Sequence, residues 1–305
     1  MSHKIPRRVE SRSQRTSPSR SDDLAASPTL RRRRLARQLL TLRANRGMTV
    51  DAVAKEAKKR RPERPWSAAK ITRIENRKVQ RVREVDLLTL LDVYGVTDTE
   101  QRSAFVTLAA EASQTGWWFG YKAEFGTAAY IDLETEANEM RSFQLGVIPG
   151  LLQTPGYAEA VIRGSGVTDA GEVARRVDAR MMRRSILDRS DAPRLTVLVD
   201  EAAFHKVTGE VLKEQIRHLL APKPPVQVQI ITDDAGPHPA LSGSFVVMVF
   251  PNDPSIVYLE QSLSGLFLED EEEVDHYERL FTAAQAVALT TEETVAFLEN
   301  KLSTQ

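Results

Sequence analysis

The spacing of apolar positions changes character once along the chain. From residue 30 to about 114 it follows a helical period: Leu35, Leu39 and Leu42; Val50, Val53, Ala54 and Ala57; Ile71 and Ile74; Leu87, Leu90, Leu91 and Tyr94; Phe105, Leu108, Ala109 and Ala112. Each set lines one helix face, so five short helices are predicted, the fourth over about 83–94 and the fifth over about 98–114. Gly47 is placed to stop the first helix, and Thr49 and Ser67 to cap the second and third. Between those two, K-K-R-R-P-E-R-P-W (58–66) carries two prolines and predicts a loop. Residues 130–189 still read as helical. Then 195–199, 226–231, 244–250 and 255–259 are β-branched or alternating runs bounded by Pro, Gly, Asp or Asn, which predict strands. A final helix is expected over about 271–288. The fold class is therefore multidomain, with an all-α five-helix domain over 30–116 followed by an α+β domain over 117–305. Residues 1–29, with seven Ser, five Arg and three Pro, have little to bury and are expected to be a disordered basic tail.

Composition supports two cores and narrows the setting. A chain of 305 residues that is 41% hydrophobic has apolar material for two domains. It has no cysteine, which excludes disulfides and Cys-based zinc sites and suits a reducing compartment. No apolar run reaches the ~20 residues of a membrane span, and no secretory stretch is evident, so a cytoplasmic protein without a membrane partner is expected. Charge adds more. Residues 1–83 hold 25 Lys and Arg against 7 Asp and Glu, while the rest hold 17 against 35, so the neutral total hides two opposite halves. Such asymmetry points to a polyanion partner for the basic part.

Inside that basic part, the second and third helices form a helix-turn-helix pattern. A short, capped helix that is polar on one face fits the B-DNA major groove, about 12 Å wide. The positions set to meet base edges are Ser67, Ala68, Ala69, Lys70 and Arg73, with Arg73 suited to a bidentate guanine contact and the alanines to thymine methyls. Arg60, Arg61 and Arg64 before the helix, and Arg77, Lys78 and Arg81 after it, are expected on phosphates. Ile71 and Ile74 are core, and Glu75 is expected to pair with a neighbouring arginine. Double-stranded DNA is the expected partner, bound by a homodimer because paired half-sites multiply specificity.

The stretches M-T-V-D-A-V-A-K (48–55), W-S-A-A-K-I-T-R-I-E-N (66–76) and V-D-L-L-T-L-L-D-V-Y-G-V-T-D (85–98) resemble the phage-repressor type of helix-turn-helix regulator, the XRE family, which implies a lambda-repressor-like first domain. The remainder of the chain resembles one subgroup, the actinomycete WhiJ-like, antitoxin-like regulators, whose second domain has no assigned activity. Trp117-Trp118, Y-I-D-L-E-T-E-A (130–137), V-I-P-G-L-L-Q-T-P-G-Y-A (147–158), L-V-D-E-A-A-F (198–204) and G-P-H-P-A-L-S-G-S-F (236–245) carry that likeness. The resemblance implies a second domain that receives a signal, often from a small partner protein; a small ligand is the other source considered, and in an alternative reading holding the partner is the main task and DNA binding only autoregulatory. This chain departs from the pattern in three places. Its inter-helix loop is several residues longer, Val50 replaces a polar residue that often contacts phosphate, and Arg77 stands where such regulators commonly have Gly. The last departure predicts a left-handed conformation at Asn76 or Arg77.

Enzyme and metal chemistry find little support in the pattern. The five histidines, His3, His205, His218, His238 and His276, show no zinc-ligand spacing, and Ser242, His238 and Asp233 lack a nucleophile elbow around the serine. No catalytic residue, metal or cofactor is expected. The acidic run E-D-E-E-E-V-D (269–275) lacks the spacing of a calcium loop. It is expected to be the first turn of the last helix, where acid favours the dipole, or a face that repels DNA, with docking of a basic partner or folding back on the basic domain as further readings. Trp117, Trp118, Phe119 and Tyr121 are expected to form an interdomain core.

Overall fold

The computed structural model describes residues 28–79, 81–114, 128–223, 225–260 and 265–304. The tail through residue 27 and the aromatic cluster around Trp117 lie outside them. Five helices come first: α1 (Pro28–Asn45), α2 (Val50–Arg60), α3 (Ala68–Glu75), α4 (Glu84–Tyr94) and α5 (Thr99–Ala112). Their apolar faces meet in one core around Leu39, Val53, Ala57, Ile71, Leu87 and Leu91. Local chemistry sets the boundaries. Thr49 Oγ1 accepts from the Ala52 amide and Ser67 Oγ from the Lys70 amide, both at 3.2 Å, satisfying donors that the first helical turn leaves unpaired. Gly95 ends α4 in the left-handed region at φ 71°.

The segment 58–66 is only partly loop. Lys58, Lys59 and Arg60 are good helix formers and extend α2, which stops at the residue before Arg61-Pro62, where the proline disfavours further helix. Trp66 is buried in the core.

The second domain contains α6 (Ala128–Glu136), β1 (Glu139–Gln144), α7 (Pro155–Gly164), α8 (Ala170–Arg184), β2 (Arg194–Asp200), α9 (Gly209–Leu220), β3 (Val226–Ile231), β4 (Phe245–Val249), β5 (Ile256–Glu260), β6 (Gly265–Leu268), α10 (Glu271–Gln285) and α11 (Thr291–Thr304). The sheet order is β3-β2-β1-β4-β5-β6, parallel across β1, β2 and β3 and antiparallel from β1 through β6. One sheet face, with Met140, Val197 and Met248, packs on Tyr157, Ile216 and Leu298 of α7, α9 and α11. The other, with Phe143, Leu198 and Val247, packs on Val274 and Phe281 of α10.

Three elements differ from expectation. β1 falls within the span read as helical, because E-M-R-S-F-Q favours helix locally. It becomes a central strand through its pairing with both β2 and β4. β6 is a four-residue edge strand held by β5. A further helix, α11, comes after the one expected to be last. Its start is a reciprocal cap, with the Thr290 amide donating to Glu293 Oε2 at 2.8 Å and the Glu293 amide to Thr290 Oγ1 at 3.2 Å.

α1 joins the two halves. Leu30 is buried in the core of the second domain, whereas Leu35 and Leu39 are buried in the first. The Thr29 amide donates to Asp132 Oδ2 at 2.6 Å. Arg31 bonds Glu111 at 2.7 Å and Glu136 at 3.1 Å, and Arg34 and Arg37 both bond the buried Asp253 carboxylate, at 2.6 and 2.7 Å. Arg33 lies over the Phe267 ring at 5.0 Å and pairs with Glu269. The basic face of α1 is thus turned largely toward carboxylates of the same chain.

Candidate nucleic-acid interface

α2, the seven-residue connection 61–67 and α3 form the helix pair. α3 is one side of a clamp. Ile71 and Ile74 anchor its inner face, while Arg43 of α1 holds Glu75 through two bonds of 2.7 and 2.9 Å and also donates to the Met48 carbonyl at 2.9 Å. The Glu75 hydrogen bond raises the Arg43 pKa. Glu75 is thus matched inside the fold.

Asp86 on α4 makes the second anchor, and it draws in two residues expected on DNA. Arg64 bonds its carboxylate at 3.0 and 2.8 Å, and Lys70 Nζ reaches it at 2.9 Å while lying over the Trp66 ring at 4.0 Å. Lys70, expected at a base edge, and Arg64, expected on phosphate, both bond one buried acid within the fold. Burial alone pushes the Asp86 pKa up, but the bonds from Arg64 and Lys70 outweigh it and hold the group below its ordinary value of 3.8. A depressed pKa contributes stability that is present above 3.8 and lost as pH falls through the folded value. Asp86→Asn is accordingly expected to cost about 2 kcal/mol at neutral pH, with the gap from the parent closing in acid. Thermal unfolding of both proteins across pH checks this, and a gap independent of pH would refute the assignment.

The remaining expected contacts sit on an exposed surface. Ser67, Ala69 and Arg73 are exposed and Ala68 is half-buried. The Arg73 guanidinium has no hydrogen bond or ion pair among the described residues. Thr72 and Asn76 are exposed beside it. Arg60 pairs within its own helix with Glu56 at 3.3 Å, Arg61 lies 3.9 Å from Glu63, and Lys78 and Arg81 are exposed. Arg77 takes φ 60°, the one positive φ among described residues other than glycine. That conformation turns the chain out of α3, and the Arg77 guanidinium pairs with Glu269, the acid that also holds Arg33.

Two family profiles match the chain. One, described as a helix-turn-helix domain, matches residues 34–105, the region of α1 to α5. The other, described as a domain of unknown function (DUF5753), matches residues 127–300. The chain belongs to the DUF5753 family. No curated protein and no solved structure matches it. The first match supports a DNA-binding helix-turn-helix domain, and among the described residues no helix is long and apolar enough to cross a membrane.

The DUF5753 part brings together some groups that spacing does not reveal. His238 is buried and faces Asp200 Oδ2 at 3.2 Å, with its ring edge-on to Phe143 at 5.4 Å. Asp200 also caps the next turn at the Ala202 amide, 2.9 Å away, which makes the pair a structural tie between strand and loop. Glu201, His205 and Asp233 of the DUF5753 domain converge within 4.8 Å, the one such cluster among the described residues. Lys301 Nζ already occupies it, 2.9 Å from Glu201 Oε1 and 3.5 Å from His205 Nε2. An ammonium group thus supplies the positive charge there.

Proposed function

We propose that the chain is a sequence-specific transcriptional regulator of the XRE kind. α3 enters the major groove, and the second domain receives a signal and acts through binding rather than catalysis. The observation that carries this is the state of α3: capped at Ser67, anchored by Ile71, Ile74 and Glu75, and presenting an uncommitted Arg73 among small and polar neighbours. A preorganised helix with one free guanidinium is what bidentate guanine readout requires. Ser67 and Ala69 supply the rest of the face, and Arg60, Arg61, Lys78 and Arg81 the sequence-independent phosphate affinity. Selection of sites from a random duplex pool at about 0.15 M salt tests the reading. A recovered motif, palindromic or paired, supports a dimeric regulator, while motif-free binding refutes sequence-specific readout.

The contact between Glu269 and Arg77 supports a restraint on this surface. Glu269 precedes the acidic first turn of α10, where Asp270 caps the helix by accepting from the Glu272 amide at 3.1 Å. Its carboxylate occupies a guanidinium that would otherwise meet phosphate. Glu269→Gln in the full chain is expected to tighten DNA binding about fivefold, with the gain shrinking as salt screens the pair. Fluorescence anisotropy on a fixed duplex measures it, and unchanged or weaker binding would sink the restraint.

A further inference from the structure

A cavity of about 170 Å³ lies in the second domain between the sheet face formed by β1, β4 and β5 and the helix α8. Its walls are mixed. Met140, Ile148 and Leu195 supply an apolar floor, and Ser142, Gln144 and Ser244 supply polar groups. Two arginines of α8, Arg180 and Arg183, reach it from one side. Their situations differ. Arg183 has a counter-ion, with Nε and Nη2 bonded to the two oxygens of Glu134 at 2.5 and 2.7 Å and its guanidinium over the Tyr130 ring at 4.8 Å. Arg180 makes a single side-chain bond, Nη1 to Gln153 Oε1 at 2.7 Å, and no ion pair among the described residues.

Burial, with Arg183 and Arg176 repelling it, pushes the Arg180 pKa down to about 10, and the attraction of Glu260 does not restore it. The guanidinium remains charged at neutral pH with most of its donors unspent. A partly buried cation with so few partners favours a site for an anion. We infer that this cavity is a binding site for a small monocarboxylate with an apolar body, its carboxylate on Arg180 and its body on the Met140 and Leu195 floor. Glu260 at the rim disfavours a second negative charge, which selects against dianions.

The cavity is also connected to α3. Tyr130 on its wall packs on Tyr258 with ring centroids 4.3 Å apart, and Tyr258 packs on Phe267 at 5.0 Å. Phe267 underlies Arg33 at 5.0 Å, and Arg33 shares Glu269 with Arg77. Gly265 keeps this path dense, since a Cβ there would lie 2.0 Å from the Tyr258 ring. A ligand that moves Tyr130 or Tyr258 therefore acts on the salt-bridged acid beside the recognition helix. This effector role rests on the proposed DNA binding; the site itself does not.

The test uses the full chain and three probes, benzoate, propionate and inorganic phosphate, at matched ionic strength. Benzoate is expected to raise the thermal midpoint by about 3 °C, propionate by less and phosphate least. Arg180→Met is expected to retain or raise the midpoint without ligand, because it removes an underpaired, partly buried charge, and to abolish the benzoate shift. In the parent, benzoate is expected to change the affinity for the selected duplex about fivefold, and Phe267→Ala to remove that change while keeping the thermal shift. A shift that survives Arg180→Met, or no benzoate shift at all, overturns the site whatever the DNA arm shows. So does a collapse of Arg180→Met without ligand, which would make Arg180 a structural cation. An Arg180-dependent shift with unchanged DNA affinity overturns the effector role alone.

Discussion

Arg73→Ala is expected to flatten sequence preference while leaving the fold and much of the total affinity intact. Arg73 is exposed on α3 and its side chain has no hydrogen bond or ion pair among the described residues, so its removal strands no buried partner. A bidentate pair with guanine contributes about 1–3 kcal/mol of discrimination, which is roughly 10- to 100-fold between cognate and mismatched duplex. Affinity from Arg60, Arg61, Lys78 and Arg81 should persist, because phosphate contacts are indifferent to sequence. The salt dependence separates the two roles. Loss of a base contact leaves the slope of log affinity against log salt nearly unchanged, whereas loss of a phosphate contact reduces it by about one. Binding isotherms for cognate and mismatched duplexes at several salt concentrations give both quantities. If Arg73→Ala lowers the slope by one and weakens both duplexes equally, Arg73 lies on the backbone and the base-reading assignment fails.

The first domain is largely legible in the sequence because its helices are locally self-consistent. Thr49, Ser67 and Gly95 are written at the boundaries they create, and the apolar spacing names the buried faces. The left-handed turn at Arg77 is legible only through the resemblance, in which that position is commonly glycine. The destination of charge is not legible there. Arg31, Arg33, Arg34 and Arg37 look like a face for a polyanion, yet Glu111, Glu136, Asp253 and Glu269 meet them. Those acids lie from about 80 to more than 230 residues away in the chain, so no local pattern links them. Part of the opposition between the basic and acidic halves is therefore answered within the molecule. In the second domain β1 escapes a local reading because its neighbours, not its composition, make it a strand. α11 is a different kind of omission: the T-x-x-E cap at Thr290 and Glu293 is present in the sequence and marks the helix start directly.

Among charged contacts in the second domain, loss of Glu134 is expected to have the largest effect. The Glu134 carboxylate is 1% exposed and is the bidentate partner of Arg183, which keeps that guanidinium's pKa above its ordinary value despite its burial. Glu134→Ala would leave a buried cation without its counter-ion, one helical turn from Arg180, which repels it. Breaking one side of such a pair typically costs about 3–5 kcal/mol, against a total stability of about 5–15 kcal/mol for a domain. The penalty belongs to the orphaned charge more than to the lost attraction, and this separates it from a simple packing defect. Glu134→Leu combined with Arg183→Met is therefore expected to be markedly more stable than Glu134→Ala alone, even though it removes the whole ion pair. Denaturant unfolding tracked by circular dichroism, with the single and double variants run in parallel, measures the difference. A double variant as unstable as Glu134→Ala would show that packing at this site, rather than an unpaired guanidinium, sets the cost. It would also weaken the case that Arg180, on the same cavity wall, is a charge in want of an anion.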